Sequence, residues 1–121
     1  MRLETTTLSS DMCDSGRRVK LTKPYTVTLN GISWTIPAGF VTDFASVPRW
    51  LWWIVPPWGR YFPAAVVHDW LYSIQDRPRE NADKIFLLIM EALNTPAWRR
   101  QIMYRVVRWF GESTWKAIKR D

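Results

Sequence analysis

Five polar residues in this chain sit against apolar sequence and carry groups that can do chemistry: Asp43, His68, Asp69, Tyr72 and Asp83. His68 and Tyr72 are four apart, and Asp69 and Tyr72 three, so on a helix each pair shares a face. An imidazole held by a carboxylate is a general base, and mixed carboxylate and imidazole ligands hold a divalent cation. The spacing therefore offers a catalytic set, His68, Asp69 and Tyr72, and a metal set, Asp43, His68 and Asp83, for a divalent ion. The same residues serve structure. A carboxylate after a strand caps the next turn, and a helix-borne His beside Asp ties helices together. The structural network is the primary expectation, and a hydrolase acting on cell wall or a phosphoester is the alternative. No pattern for an organic cofactor is present.

The counts narrow the chemistry further. A single histidine excludes every site that needs two, and a single cysteine, Cys13, excludes an intramolecular disulfide framework or a Cys-rich zinc module. Cys13 lies in a polar stretch and reads as an incidental thiol. Ser46 lacks the Gly-x-Ser-x-Gly elbow of a nucleophile and reads as a helix cap. The net charge is +6, and from Pro96 onward seven Lys/Arg face only Glu112 and Asp121. With no nucleic-acid motif beside it, this basic stretch reads as a solvated helix face, and nucleic acid is not the expected partner. No apolar run reaches the ~18 residues that would span a bilayer, and the N-terminus has no apolar leader core.

These residues need elements to place them. Residues 1–16 are polar and aperiodic and read as an arm, leaving residues 17–121 as a single α+β domain. Tyr25, Val27 and Leu29 alternate with threonines, as do Ile32, Trp34 and Ile36 with Ser33 and Thr35, and Asn30-Gly31 joins the two runs. Asn-Gly between alternating runs predicts a hairpin with a type I′ turn, pairing Leu29 with Ile32, Val27 with Trp34 and Tyr25 with Ile36. Ser46 and Pro48 predict a short turn of helix, ended by Pro56-Pro57. A helix follows from Pro63 to about Gln75, with Ala64, Val67, Leu71 and Ile74 as its buried stripe. Pro78 opens a second, with Glu80 and Asp83 in its first turn and Ile85, Leu88, Ile89 and Ala92 inward. Asn94 suits a left-handed stop. Thr95 and Pro96 then cap a last helix whose Trp98, Ile102, Val106 and Phe110 face the core until Gly111 interrupts it. The fold class is α+β, an N-terminal antiparallel hairpin or small sheet followed by three to four packed helices.

Nine tryptophans among 121 residues are more than such a core can use. Trp34, Trp98 and Trp109 read as core. Trp50, Trp52, Trp53 and Trp58, with Tyr61, crowd one loop and read as a protein interface, because tryptophan is a favoured interface anchor. Insertion into a membrane interface is the lesser use of that loop, which Arg49 and Arg60 flank.

Three blocks together resemble the DUF1353 family: Gly39-Phe40-Val41-Thr42-Asp43-Phe44-Ala45-Ser46-Val47-Pro48, Ala65-Val66-Val67-His68-Asp69-Trp70-Leu71-Tyr72 and Ala82-Asp83-Lys84-Ile85-Phe86. Met103-Tyr104 and Phe110-Gly111 also suit its pattern, and the resemblance runs from residue 17 to residue 115. It implies a protein of tailed phages and prophages with no established activity, and it supports grouping Asp43, His68, Asp69 and Asp83. The expectation is then a phage protein that works by binding, a virion or tail-associated component in the host cytoplasm or the virion. Its partners would be other phage or host proteins, in an oligomer or assembly. A host-directed accessory protein is the further alternative.

Overall fold

The computed structural model describes residues 2–8, 10–13, 18–42, 50, 53 and 59–120. The backbone divides into two compact units, residues 1–43 and 44–121. Among the described residues the first holds six strands: β1 (Leu3–Thr5), β2 (Ser10–Cys13), β3 (Arg18–Leu21), β4 (Tyr25–Leu29), β5 (Ile32–Ile36) and β6 (Val41–Thr42). They form two antiparallel three-stranded sheets, ordered β1-β4-β5 and β2-β3-β6.

The central hairpin follows from its residue types. Asn30 and Gly31 both take positive φ, 49° and 85°, as a type I′ turn requires. The turn fixes the register, and Leu29 pairs with Ile32, Val27 with Trp34 and Tyr25 with Ile36. Tyr25, Val27, Leu29 and Ile36 are buried, while Ile32 is exposed and Trp34 half-buried, so burial is deepest away from the turn. On the opposite face hydroxyls meet in pairs, Thr26 with Thr35 at 3.0 Å and Thr28 with Ser33 at 2.8 Å. Residues 1–16, expected to be an arm, contribute two strands. β1 pairs with β4 and β2 with β3, so backbone ladders order sequence that has no hydrophobic period.

The second unit is helical: a turn of 3-10 helix over Gly59–Tyr61, then α1 (Phe62–Ile74), α2 (Arg79–Ala92) and α3 (Ala97–Arg120). Pro63 sits in the first turn of α1, where its missing N–H costs nothing, and Gln75 ends the helix at φ 48°. Pro78 precedes α2 in an extended conformation, and Asn94 takes φ 60° just beyond its end. Arg60 donates to the carbonyls of Leu93 (3.2 Å) and Asn94 (3.1 Å), and Arg100 to that of Thr95 (2.9 Å). These guanidinium bonds satisfy carbonyls that the end of α2 leaves without helical partners.

Several expectations about the helices need correction. Thr95 is buried and its hydroxyl has no partner among the described residues, so it does not cap α3. Gly111 does not interrupt α3, which runs on to Arg120. Asp83 lies in the second turn of α2. Trp98, Ile102, Trp109 and Phe110 are exposed, as are Ile74 and Leu88. Met103 and Val107 are buried instead, because their face of α3 packs toward the other helices. The α+β assignment holds: antiparallel strands come first and three helices follow.

The hairpin gives a direct test. Gly31→Ala places a Cβ on a residue at φ 85° and should destabilise the protein by about 1–2 kcal/mol, read by urea denaturation, although no atom lies within contact of that Cβ.

Candidate functional site

The three helices of the second unit meet at one carboxylate. Asp83, on α2, is fully buried, and so is His68, on α1. The imidazole Nε2 lies 2.6 Å from Asp83 Oδ1, and the Tyr72 hydroxyl donates to the same oxygen at 2.7 Å. The other oxygen, Oδ2, accepts from Arg79 Nη1 at 3.2 Å and from Arg108 Nη1 at 2.8 Å. An ionised carboxylate has about four lone-pair directions, and four groups occupy them here. A carboxylate oxygen can only accept, so Nε2–H of His68 is the donor in its bond to an ionised Asp83.

Each partner is positioned by its own element. His68 and Tyr72 are one helical turn apart on α1, and their rings lie 4.3 Å apart, with Phe86 4.8 Å beyond the imidazole. Arg79 and Asp83 are one turn apart on α2. Arg79 also donates to the carbonyls of Val107 and Arg108, both at 3.1 Å, tying the start of α2 to the middle of α3. Trp115 closes the far side, edge-on to Tyr72 at 5.1 Å, and its carbonyl accepts from Gln75 Nε2 at 2.8 Å.

Gly111 makes the approach of α3 possible. A Cβ at that position would overlap the Tyr72 hydroxyl and lie 3.2 Å from Arg79 Nη1 and from Tyr72 Cζ. The glycine serves by being small, inside an unbroken helix.

The electrostatics follow from burial. Loss of water around the Tyr72 hydroxyl pushes its pKa well above the usual 10.0; Arg79 opposes this and the negative Asp83 reinforces it. Tyr72 therefore keeps its proton, and donates it, to well above the usual tyrosine range. Around Arg108, partial desolvation works against the charge, but the Asp83 carboxylate outweighs it and raises the pKa. Two guanidinium groups on one buried carboxylate make an excess-positive cluster whose positive groups extend toward the surface.

The expected site residues divide accordingly. His68, Tyr72 and Asp83 come together. Asp69 is half-buried and engaged in contacts of its own, and takes no part in the described bonds to Asp83. Asp43, Ser46, Trp52 and Trp58 lie outside the described residues. Among the described residues no group of three His, Cys, Asp or Glu side chains is placed to hold a metal ion. Both Asp83 oxygens and His68 Nε2 are committed to one another and to neighbouring donors, so at those atoms a cation would have to displace existing bonds. Tyr61, expected at the interface, is buried, with Arg60 over its ring at 5.7 Å. Trp50 and Trp53 are exposed as expected.

Sequence reasoning missed Arg79, Arg108 and Gly111. Arg79 is readable in principle, because a cation four residues before Asp83 on one helix is an ion-pair spacing. Arg108 lies on a different helix, and no local pattern connects the two.

A family model described as "Protein of unknown function (DUF1353)" matches residues 19–107. The chain belongs to that family. It is also 33% identical over 84 residues to "Uncharacterized protein y4jT" of Sinorhizobium fredii (strain NBRC 101917 / NGR234), a match covering 68% of this chain and 25% of that protein. The chain thus spans only a small part of the length of this curated relative. No solved structure matches it. The family span holds His68, Tyr72, Arg79 and Asp83 and stops one residue short of Arg108.

Two substitutions test the cluster. Asp83→Ala leaves two guanidinium groups without their anion and should cost about 3–5 kcal/mol in urea denaturation. Gly111→Ala should destabilise by about 1–3 kcal/mol through overpacking, opposite in sign to the gain of about 1 kcal/mol that helix propensity alone gives. Placing Gly111→Ala in a Tyr72→Phe background removes the clashing hydroxyl, so a double-mutant cycle should show a smaller penalty there. Tyr72 also sets an alkaline limit. Its native pKa is raised, so its contribution is complete below pH 10.0 and is lost as pH climbs from there toward the native value.

Proposed function

We propose that this protein acts by binding, docking on a protein partner through the aromatic surface around Trp50 and Trp53, as a virion- or tail-associated component of a tailed phage or prophage. One observation carries the reading. Trp53 is 92% exposed and Trp50 57% exposed. Trp50 meets the exposed Phe110 of α3 edge-on, with ring centroids 6.4 Å apart at 82°. Large aromatic rings held together in water forgo roughly 1.5–3 kcal/mol each of burial free energy, which a partner surface can recover.

The polar cluster supports this reading from the inside. Asp83 and His68 have no exposed surface, and the bonds around them hold α1, α2 and α3 to one another. Such a centre makes a rigid platform for an aromatic docking surface. A hydrolase built on His68 would need substrate to reach a ring that is fully buried. The phage setting comes from the family resemblance of the three sequence blocks.

The test is composition and dependence. Mass spectrometry of particles purified from the encoding phage or induced prophage should find the protein, and Trp53→Ala should lower its incorporation at least tenfold with the melting temperature unchanged. Absence from particles, or an equal loss of stability and incorporation, would overturn the reading.

A further inference from the structure

The outward face of α3 carries a second arrangement with its own chemistry. At ~100° per residue, Trp98, Ile102 and Trp109 fall within about 40° of one another around the helix. Trp109 is 80% exposed and Trp98 57% exposed, and Ile102 is exposed between them. The opposite face is fixed in the helical unit through Met103, Val107 and Gly111, so this strip cannot turn inward.

Cations border the strip. The Arg99 guanidinium lies over the Trp98 ring at 5.1 Å, and Arg105 is exposed without an ion pair among the described residues. The acid within α3, Glu112, is already paired with Lys116 at 3.0 Å. An apolar stripe with uncompensated positive charge at its edges calls for an anionic partner with an apolar interior.

We propose that the outward face of α3 is a peripheral docking surface for an anionic lipid bilayer. Trp98, Ile102 and Trp109 enter the interfacial region, and Arg99 and Arg105 meet lipid phosphates. Indoles and guanidinium groups around a short aliphatic stretch match the polarity gradient at the headgroup boundary. The helix stays in the plane of that boundary because its inner face belongs to the protein. A single-stranded nucleic acid would use a continuous row of rings; Trp109 stacks on Phe110 at 6.2 Å, but the other indole of the strip, Trp98, lies eleven residues, about 16 Å, away with Ile102 between.

This goes beyond the protein-docking reading; the two surfaces adjoin, because Trp109 stacks on Phe110 at 6.2 Å and Phe110 meets Trp50, so Trp53→Ala, which should leave vesicle binding unchanged, separates them. The full-length protein is floated with vesicles of phosphatidylcholine containing one quarter phosphatidylglycerol, and with vesicles of phosphatidylcholine alone, at low salt. Binding to the anionic vesicles should exceed binding to the neutral ones at least tenfold and should fall with added salt. The double substitution Ile102→Ser with Trp109→Ser, on exposed positions and checked for an unchanged melting temperature, should lower it at least tenfold. Arg105→Glu should lower it roughly tenfold. Failure to bind anionic vesicles would overturn the proposal, as would undiminished binding by the double variant. Retention of an oligothymidylate in place of vesicles, lost in the same variants, would overturn it in favour of nucleic acid.

Discussion

The helical unit depends on one buried negative charge. A carboxylate withdrawn from water is stable only when its lone pairs are filled, and Asp83 fills them from all three helices: His68 and Tyr72 of α1, Arg79 of α2 and Arg108 of α3. Van der Waals packing alone lets helices slide against one another. A carboxylate with four directional partners sets the spacing and rotation of each helix. The aromatic contacts of His68 with Tyr72 and Phe86, and of Tyr72 with Trp115, then gather around that fixed point.

Local chemistry in the sequence went furthest where an element is closed by its own residues. The Asn30-Gly31 hairpin is legible to the residue pair, because turn type and alternation impose the same register. The starts of α1 and α2 are legible from Pro63 and Pro78 for a comparable reason. What could not be read is what non-local contacts decide. β1 and β2 have no hydrophobic period, yet the backbone groups of β4 and β3 recruit them. Hydrophobicity favours the face of α3 that carries Trp98 and Ile102, whereas burial follows Met103, Val107 and the bare backbone of Gly111.

The candidate site shows the same division. His68 and Asp83 stand out in sequence as polar residues in apolar surroundings, and the structure joins them. Their meaning changes with the neighbours. In sequence, Asp43, His68 and Asp83 suggest a cation because nothing local shows the two arginines; Asp43 lies outside the described residues. Once Arg79 and Arg108 are in place, the negative charge of Asp83 is already answered. Glycine commonly ends helices, but Gly111 instead allows Tyr72 and Arg79 to pack against α3.

The order of these residues along the chain bears on how the unit is made. During synthesis α1 and α2 emerge first, bringing His68, Tyr72, Arg79 and Asp83 together as a helical hairpin. One Asp83 oxygen still lacks Arg108 at that stage, and the side of Tyr72 that meets Gly111 and Trp115 is open. α3 therefore supplies the last charge partner of Asp83 and covers the open side of Tyr72, so neither group is complete in the α1–α2 pair alone.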